Sequence, residues 1–501
     1  MTTSDAPTLA NWYDSAWSYR KEIVIDHTRV SGGADLANFT VLVDLGSDAG
    51  LAAHALANGN DILFTSVDGT TKLSHEIDTF VSVSGHLLAW VKVPTLFAAT
   101  DTPLFMYYGN AAATNQQDAA GTWNNSYAGV WHLGQTSTGA VGEFIDSTAN
   151  NNAGRGTGGP SSVAGMFGKG QNFNGTSNFI SIPNAASLQL TSVMTLEGWI
   201  NSRSFGSSDD VDIIVRKGDV NPNNYQLALY NAQPTLQLDQ GEGAGLVAGT
   251  ADTANTWHHV VGTWDGTTRS IYLDGVLLGT DNFAAPIGTD LRDLYIGGRI
   301  GNTDTVDGIV DEVRVESVVR SAGWIATEYN NATSAGSFMS VRSEQSQSIM
   351  LTSTDENTSS SGTTADSILI AAGWNDVDTG ALNGLAITVE SGNGTWQYST
   401  DGASWTDFGP VSATSALLIS STTQVRYVPD GNNGETATFG FVAWDQTSDT
   451  ASTNGSPSHA NPGTGGGSTA YSSESSTAMM TITAINDAPL LTVPEIGRAH
   501  V

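Results

Sequence analysis

The sequence contains no cysteine, so a disulfide framework, a thiolate metal site and a cysteine nucleophile are all excluded. Basic residues are also scarce, because only 18 Lys and Arg stand against 50 Asp and Glu, and the formal net charge is −32. A chain this acidic repels phosphate backbones and anionic lipid surfaces. We therefore expect no nucleic acid partner.

Long apolar runs are absent as well. No stretch approaches the roughly 20 apolar residues that a membrane-spanning helix needs, so we expect no membrane insertion. Residues 1–10 lack the basic and apolar regions of a secretory signal, which predicts either signal-independent export or a natural start upstream. Residues 495–501 (EIGRAHV) match the translation of a common sequencing adapter. We interpret them as an artefact and expect the natural protein to continue beyond Pro494.

The local sequence pattern is that of β-structure. Helical periodicity is rare, and its only candidates are the short segments Leu51–Leu56 and Ser321–Asn331. Brief β-rich runs separated by Gly, Asn, Asp and Ser recur throughout, as in Glu22–Asp26, Phe39–Leu45, Thr195–Ile200 and Ser270–Leu273. A length of 501 residues suggests about three domains. The sequence therefore predicts an all-β chain of tandem β-sandwiches.

The first predicted domain covers residues 11–127. It opens with an aromatic cluster and then alternates polar and apolar residues in KEIVID (residues 21–26), as a strand buried on one face does. Its later landmarks are LANFTVLVDL (36–45), LLAWVKVP (87–94) and TPLFMYYGN (102–110). This order resembles an uncharacterised bacterial domain that often precedes laminin-G-like modules in secreted proteins. The resemblance implies no chemistry.

The second predicted domain covers residues 128–342. Asp265-Gly266 and Asp274-Gly275 are hairpin-turn dipeptides, and the runs beside them alternate as strands do. Its landmarks are GVWHLG (129–134), FIDSTANNNAG (144–154), GKGQNFNGTSNFISI (168–182), MTLEGWI (194–200) and GIVDEVRVESVVRS (308–321). These resemble the concanavalin-A-like laminin-G family, which implies a central jelly-roll sandwich.

The third predicted domain covers residues 345–489, where Arg426 is the only basic residue after Met350. Its landmarks are STDEN (353–357), WNDVDTG (374–380), VRYVPDG (425–431), VAWDQTS (442–448) and TITAINDAP (481–489). They resemble the cadherin-like repeats of giant bacterial adhesins, which end in an Asn-Asp-Ala-Pro linker.

A purely structural stalk is the alternative interpretation of the whole chain.

No catalytic constellation can be assigned from the sequence. His75-Glu76 lies in a strand pattern and lacks the second histidine of a zinc-protease helix. His258 and His259 are adjacent in a strand, so their side chains face opposite sides of the sheet and cannot share a metal. Gly168-Lys169-Gly170 lacks the remaining residues of a phosphate-binding loop, and we interpret it as a turn. We therefore predict that this chain is not an enzyme.

Calcium is the predicted cofactor, because Asp-rich turns supply the hard oxygen ligands that this ion prefers. The laminin-G resemblance implies one site that joins Asp146 to Asp311. The cadherin-like resemblance implies further ligands at Glu356, Asp376, Asp378, Asp445, Asn486 and Asp487. A preference of Asp and Asn for turns explains each of these positions about equally well.

The predicted function is noncatalytic adhesion or glycan binding, outside the cell or at its surface. Sugar rings stack on accessible aromatic side chains, and Tyr225 and Tyr230 lie in a less regular segment than the other aromatics, so they are the candidate ligand-binding residues. The expected partner is a glycan or surface polysaccharide, with a peptide as the alternative. The competing hypothesis is an accessory binding region of a secreted polysaccharide-degrading enzyme whose catalytic domain lies elsewhere.

Overall fold

The computed structural model describes residues 6–7, 12–14, 16–205, 211–219, 224–239, 245–249, 253–300, 304–378, 380–448 and 457–486. These residues form many β-strands and a few short helices, which confirms the all-β prediction. The chain divides into two compact units, a large unit of residues 21–344 and a small unit of residues 1–20 and 345–501. The described helices are α1 (Ala49–His54), α2 (Ala119–Thr122), α3 (Ala322–Thr333), α4 (Ala335–Phe338) and α5 (Ala365–Ala371), with 3-10 turns at His27–Arg29 and Ala186–Leu188.

The large unit begins with what we call the N-terminal module, residues 21–127. Alternate residues of its strands, such as Ile23, Ile25, Val41 and Val43, are fully buried and build its core. Its strands are β1 (Tyr19–Ile25), β2 (Leu36–Leu45), β3 (Leu63–Ser66), β4 (Lys72–Leu73), β5 (His75–Val81), β6 (His86–Leu96) and β7 (Thr102–Tyr108). Three of them form a sheet in the order β2-β6-β5.

What we call the central module, residues 128–342, is a two-sheet sandwich. Its strands are β8 (Tyr127–Trp131), β9 (Arg155–Thr157), β10 (Ser161–Ala164), β11 (Lys169–Asn174), β12 (Phe179–Ile182), β13 (Met194–Ser202), β14 (Val211–Lys217), β15 (Tyr225–Tyr230), β16 (Gln233–Leu238), β17 (Leu246–Val247), β18 (His258–Trp264), β19 (Thr268–Leu273), β20 (Val276–Asn282), β21 (Leu294–Ile296) and β22 (Asp307–Glu316). One sheet runs β10-β11-β22-β13-β18-β19-β20, with β8 also on β22, and the other runs β17-β16-β15-β14-β21-β12-β9. The side chains buried in the sandwich core include Trp131, Phe173, Leu196, Tyr225, Leu236 and Ile271.

The C-terminal segment of the central module packs against the N-terminal module. Helix α3 is anchored to β2 because the Asn331 side chain exchanges two hydrogen bonds, of 2.7 and 2.9 Å, with the backbone of Leu42. Strand β23 (Met339–Val341) then pairs with β1 and extends a sheet of order β23-β1-β7-β3-β4. Both modules therefore lie in one compact unit.

The small unit contains the third predicted domain. Its core includes Ile368 and Leu369 of α5 together with Trp396, Tyr427 and Phe439. Its strands are β24 (Gln345–Ser346), β25 (Ser348–Met350), β26 (Thr354–Asp355), β27 (Thr363–Thr364), β28 (Gly384–Ser391), β29 (Thr395–Ser399), β30 (Thr406–Asp407), β31 (Ala416–Ser420), β32 (Gln424–Val428), β33 (Glu435–Trp444), β34 (Ser458–Ala460) and β35 (Tyr471–Thr483). One sheet runs β25-β35-β33-β28-β31-β34, with β26 also on β35, and the other runs β27-β32-β29-β30.

The predicted hairpin dipeptides form turns. Asp274 and Gly275 have φ angles of 52° and 77°, as a type I′ turn requires, and they join β19 to β20. Asp265 and Gly266 join β18 to β19, where the backbone N–H of Asp265 donates to the carbonyl of Thr268. The two predicted helical segments correspond to α1 and α3, and Ser321 caps α3 by accepting from the backbone N–H of Trp324.

Candidate functional site

A buried charge network joins the N-terminal and central modules. The His132 ring lies between two carboxylates, with Nδ1 2.5 Å from Glu312 Oε1 and Nε2 3.2 Å from Glu76 Oε2. Burial lowers the pKa of His132, but Glu312 and Glu76 outweigh it and raise the pKa well above its usual value. Glu76 also accepts hydrogen bonds from the Trp123 indole and the Ser147 hydroxyl. The network therefore ties β5 of one module to β22 and to the residue that follows β8 in the other.

Arg314 extends this network into the central module. Its guanidinium donates to Glu197 at 2.9 Å and to Glu312 at 3.1 Å. The same group lies over the rings of Trp90 and Trp123, at 4.7 and 4.9 Å from their centroids. The two tryptophans belong to the N-terminal module, so the contact is a cation–π interaction across the junction.

The hairpin loop before β11 is held against this junction. Asp311 is fully buried and accepts a hydrogen bond from the backbone N–H of Phe167 at 3.0 Å. The Phe167 ring packs between Trp90 and Trp199, with centroid distances of 5.7 and 5.8 Å. Burial and the neighbouring Glu312 raise the pKa of Asp311 well above its usual value. Asp311 thus fixes the turn that contains Gly168 and precedes Lys169, the first residue of β11.

A cleft of about 570 Å³ opens where this loop meets the N-terminal module. Asp78 is the extra residue of a β-bulge, since Ile77 pairs with Ala89 while Thr79 pairs with Leu88. Bulges change the direction in which a side chain points. Residues of both modules line the cleft: Asp78, Thr79, Phe80, His86, Gly134, Gln135, Gly168 and Lys169.

Two features keep the cleft walls close to one another. Gly168 has a φ of 49°, which favours glycine, and a Cβ there would lie 2.4 Å from Asp78 Oδ2 and would displace that side chain. Gln171 is fully buried, and its amide donates to the carbonyls of Leu133 and Gln135 at 2.7 and 2.6 Å. The segment with Gln135 is thereby fixed to β11.

The electrostatics of the cleft centre on Asp78. Burial raises its pKa, to which Glu312 and Glu76 add while His132 opposes them. Thr79 Oγ1 donates to Asp78 Oδ2 at 3.1 Å. The Gln135 side-chain oxygen is buried and accepts no hydrogen bond from the residues that the structure describes. The cleft therefore offers a carboxyl and a hydroxyl for hydrogen bonding, and the Gln135 side chain forms part of its wall.

The two predicted calcium ligands of the central module have separate protein partners. Asp146 accepts four hydrogen bonds, from the backbone of Val130, Thr148 and Asn152 and from the Thr148 hydroxyl. A carboxylate has about four acceptor positions, so these donors occupy all of them. Asp311 accepts from Phe167 and from the N–H of Glu312. A shared calcium ion at this pair stays a prediction.

The predicted ligands of the small unit lie at two ends of a sheet. Glu356 accepts from the backbone N–H of Ile485 at 2.8 Å, beside Asn486, and its second oxygen is buried with no partner among the described residues. Asp445 follows the last residue of β33, whose first residue pairs with Ile482. A strand of this length spans about 30 Å, so Glu356 and Asp445 cannot share one ion.

The other predicted ligands of this unit lie near the Asp445 end or outside the described residues. Asp376 and Asp378 precede β28 in a loop where the N–H of Asp378 donates to Asp376 Oδ1 at 2.8 Å. Gln446 donates to the carbonyl of Asn383, which also precedes β28. Asp487 lies outside the described residues.

One surface set of the described residues has the spacing of metal ligands. Asp26, His27 and Asp101 form the only group of three acidic or histidine side chains there whose ligand atoms lie within 4.8 Å of one another. None of the predicted calcium ligands belongs to this set. In the same described residues, no helix is long and apolar enough to cross a membrane.

The two candidate aromatic residues have different surroundings. Tyr225 is fully buried in the sandwich core and its hydroxyl donates to the carbonyl of Leu188 at 3.0 Å. The expectation that its ring stacks on a ligand is therefore wrong, because alternation places this residue of β15 on the inner face. Tyr230 is partly exposed and packs beside Val211 and Ile213, so its role stays a prediction.

A hydroxyl, an imidazole and a carboxylate lie within hydrogen-bonding distance of one another in series. Thr253 Oγ1 lies 2.9 Å from His258 Nε2, and His258 Nδ1 lies 2.8 Å from Asp274 Oδ2. Acyl transfer would also need a substrate cleft and donors for an oxyanion at the hydroxyl. The cleft described above is lined by other residues, and Asp274 also stabilises its turn by accepting from the N–H of His259.

Sequence reasoning missed the junction and its cleft. His75-Glu76 was correctly placed in a strand, yet nothing in that strand indicated that Glu76 contacts His132. The predicted turn at Gly168-Lys169-Gly170, of which Gly168 is in a turn and the other two residues begin β11, is the one available signal, since glycines often mark a close approach of two segments.

Comparison with known proteins identifies two segments of the large unit. Residues 174–326 match the concanavalin A-like lectin/glucanases superfamily (Laminin_G_3), and residues 58–153 match a domain of unknown function (DUF2341). A search of the curated proteins gives no match.

Three solved structures illustrate the structural likeness. Domain 4 of AbnA, an extracellular arabinanase of Geobacillus stearothermophilus, in complex with arabinotriose is 17% identical, with 37% of this chain and 91% of that chain covered and a TM-score of 0.31. Botulinum neurotoxin type C, whose cell entry depends on interaction with two ganglioside molecules, is 14% identical, with 42% of this chain and 52% of that chain covered and a TM-score of 0.34. The binding domain of botulinum neurotoxin DC with rat synaptotagmin II is 10% identical, with 65% and 73% covered and a TM-score of 0.35. The chain spans about half the length of the type C chain, and TM-scores this low do not bear on function.

The matched family and the two-sheet sandwich together show that the central module is concanavalin A-like.

Proposed function

We propose that this chain is a noncatalytic, extracellular binding protein whose large unit recognises a glycan. The observation that supports this most directly is the match of residues 174–326 to a lectin and glucanase superfamily, in a sandwich with an intact core. Fold class alone does not define a ligand, so the ligand class is part of the proposal.

Calcium is a further part of the proposal. In the small unit, the buried oxygen of Glu356 that has no partner among the described residues is the kind of acceptor that a hard cation takes as a ligand. Calcium at the two ends of this unit would stiffen the loops and chain termini that its ligands join.

The experiment is a binding screen of the purified full chain on an array of plant, algal and animal glycans, with and without calcium. Retention on a defined set of related sugars supports the proposal. Absence of binding to every glycan in both conditions refutes the glycan-binding role. Competition by the same sugar in soluble form establishes that the binding is specific.

A further inference from the structure

We infer that the cleft between the N-terminal and central modules is a composite site for a neutral oligosaccharide, built from both modules. This inference rests on the proposed glycan-binding function and locates it. It also gives the segment that matches a domain of unknown function a task, because six of the eight lining residues lie within residues 58–153.

The size and chemistry of the cleft fit a sugar. Its volume of about 570 Å³ falls within the range of roughly 300 to 1,000 Å³ that is usual for ligand pockets. Phe80 supplies an aromatic face on which a sugar ring can stack. Asp78, Gln135 and Lys169 supply acceptors and donors for hydroxyl groups.

The charge of the cleft favours a neutral ligand. The lining holds one carboxyl, Asp78, one ammonium, Lys169, and one imidazole, His86. The chain as a whole carries a formal charge of −32, which opposes the approach of a polyanion. An uncharged sugar is not repelled by this negative charge.

The cleft walls are held in place before a ligand arrives. Asp311 and the packed ring of Phe167 fix the turn that leads into Lys169 at the start of β11, and buried Gln171 fixes the segment that contains Gln135. The bulge at Asp78 directs a polar side chain out of an otherwise regular strand pair. Preorganisation of this kind reduces the entropy lost on binding.

The test uses the full chain and the neutral oligosaccharide that it binds best on the array, titrated by calorimetry. We expect Phe80→Ala to weaken binding roughly tenfold, since stacking of this kind contributes about one tenfold step in affinity. Lys169→Ala and Gln135→Ala should also weaken it. Phe97→Ala is the matched control, because Phe97 is 41% exposed on the N-terminal module and does not line the cleft.

Thermal unfolding of each variant identifies any that fail to fold. Lys169 is exposed, so its replacement keeps the test available even if a change at Phe80 destabilises the strand. Wild-type affinity in all correctly folded cleft variants would overturn the composite site while the glycan-binding function stands. If the wild-type chain binds no glycan at all, the proposed function fails and this inference fails with it.

Discussion

Asp311 Oδ2 accepts a hydrogen bond from the backbone N–H of Phe167 at 3.0 Å, across 144 positions of sequence. The bond holds the 165–168 turn where Phe167 can insert between a tryptophan of each module. One aromatic side chain thus joins the core of the junction to the wall of the cleft.

We expect Phe167→Ala to lower the free energy of unfolding of the large unit by about 3–5 kcal/mol, the usual cost of deleting a buried phenylalanine. Urea denaturation measures this change. The control Phe97→Ala should cost far less because that ring is 41% exposed. Equal losses in the two variants would show that Phe167 does not stabilise the junction.

A second prediction concerns the boundary between the modules. The sequence predicts a separate domain at residues 128–342, and a separate sandwich is expected to have its own core. The structure leads us to expect that this fragment is less stable than residues 21–344. Removal of the N-terminal module exposes Arg314, Glu312 and Trp199, which are buried in the large unit. Denaturation of both fragments compares them, and an equal or higher midpoint for 128–342 would contradict the expectation.

Much of the fold could be predicted from sequence, but the candidate site could not. Alternation and the Asp-Gly turns predicted strands such as β13 and β19, because both signals are local. The cleft brings Asp78 together with Lys169, about ninety positions apart, and each has an unremarkable local pattern. Asp311 was singled out as a metal ligand, whereas its role in holding Phe167 depends on a tertiary contact that alternation cannot indicate.

A third prediction is that the large unit loses stability as the pH rises from acidic to neutral. Burial raises the pKa of Glu316 from 4.5 to about 7, against the opposing effect of Arg320. The unfolded carboxyl loses its proton near 4.5, so the free energy of unfolding falls as the pH rises from 4.5 through about 7. His132, whose folded pKa is also raised, contributes stability below its usual pKa that is lost as the pH rises through the folded value.

Urea denaturation between about pH 5 and about pH 8 measures this dependence. Glu316→Gln should flatten it, whereas Asp407→Asn, at an exposed position of the small unit, should leave it unchanged. Stability that rises steadily over this range in the wild-type chain would contradict the assignment.

A fourth prediction concerns calcium. A site with a dissociation constant of about 10⁻⁴ M in roughly 10 mM calcium adds about 2.7 kcal/mol to the stability of the folded state. We expect Glu356→Gln to remove part of the calcium-dependent rise in Tm of the small unit, and Asp311→Ala to remove that of the large unit. Asp274→Asn is the control, since asparagine also tolerates the positive φ of its turn. Identical melting curves in chelator and in calcium would exclude structural calcium from both units.

The measurement that tests the central proposal most directly is the fate of a bound oligosaccharide. The full chain is held at saturating concentration with the glycan that it binds best, and the sugar is then recovered and its mass determined. We predict that all of the sugar is bound and that its mass is unchanged after prolonged incubation. Shortened products that disappear on replacing His258 or a single acidic residue would contradict a noncatalytic binding protein.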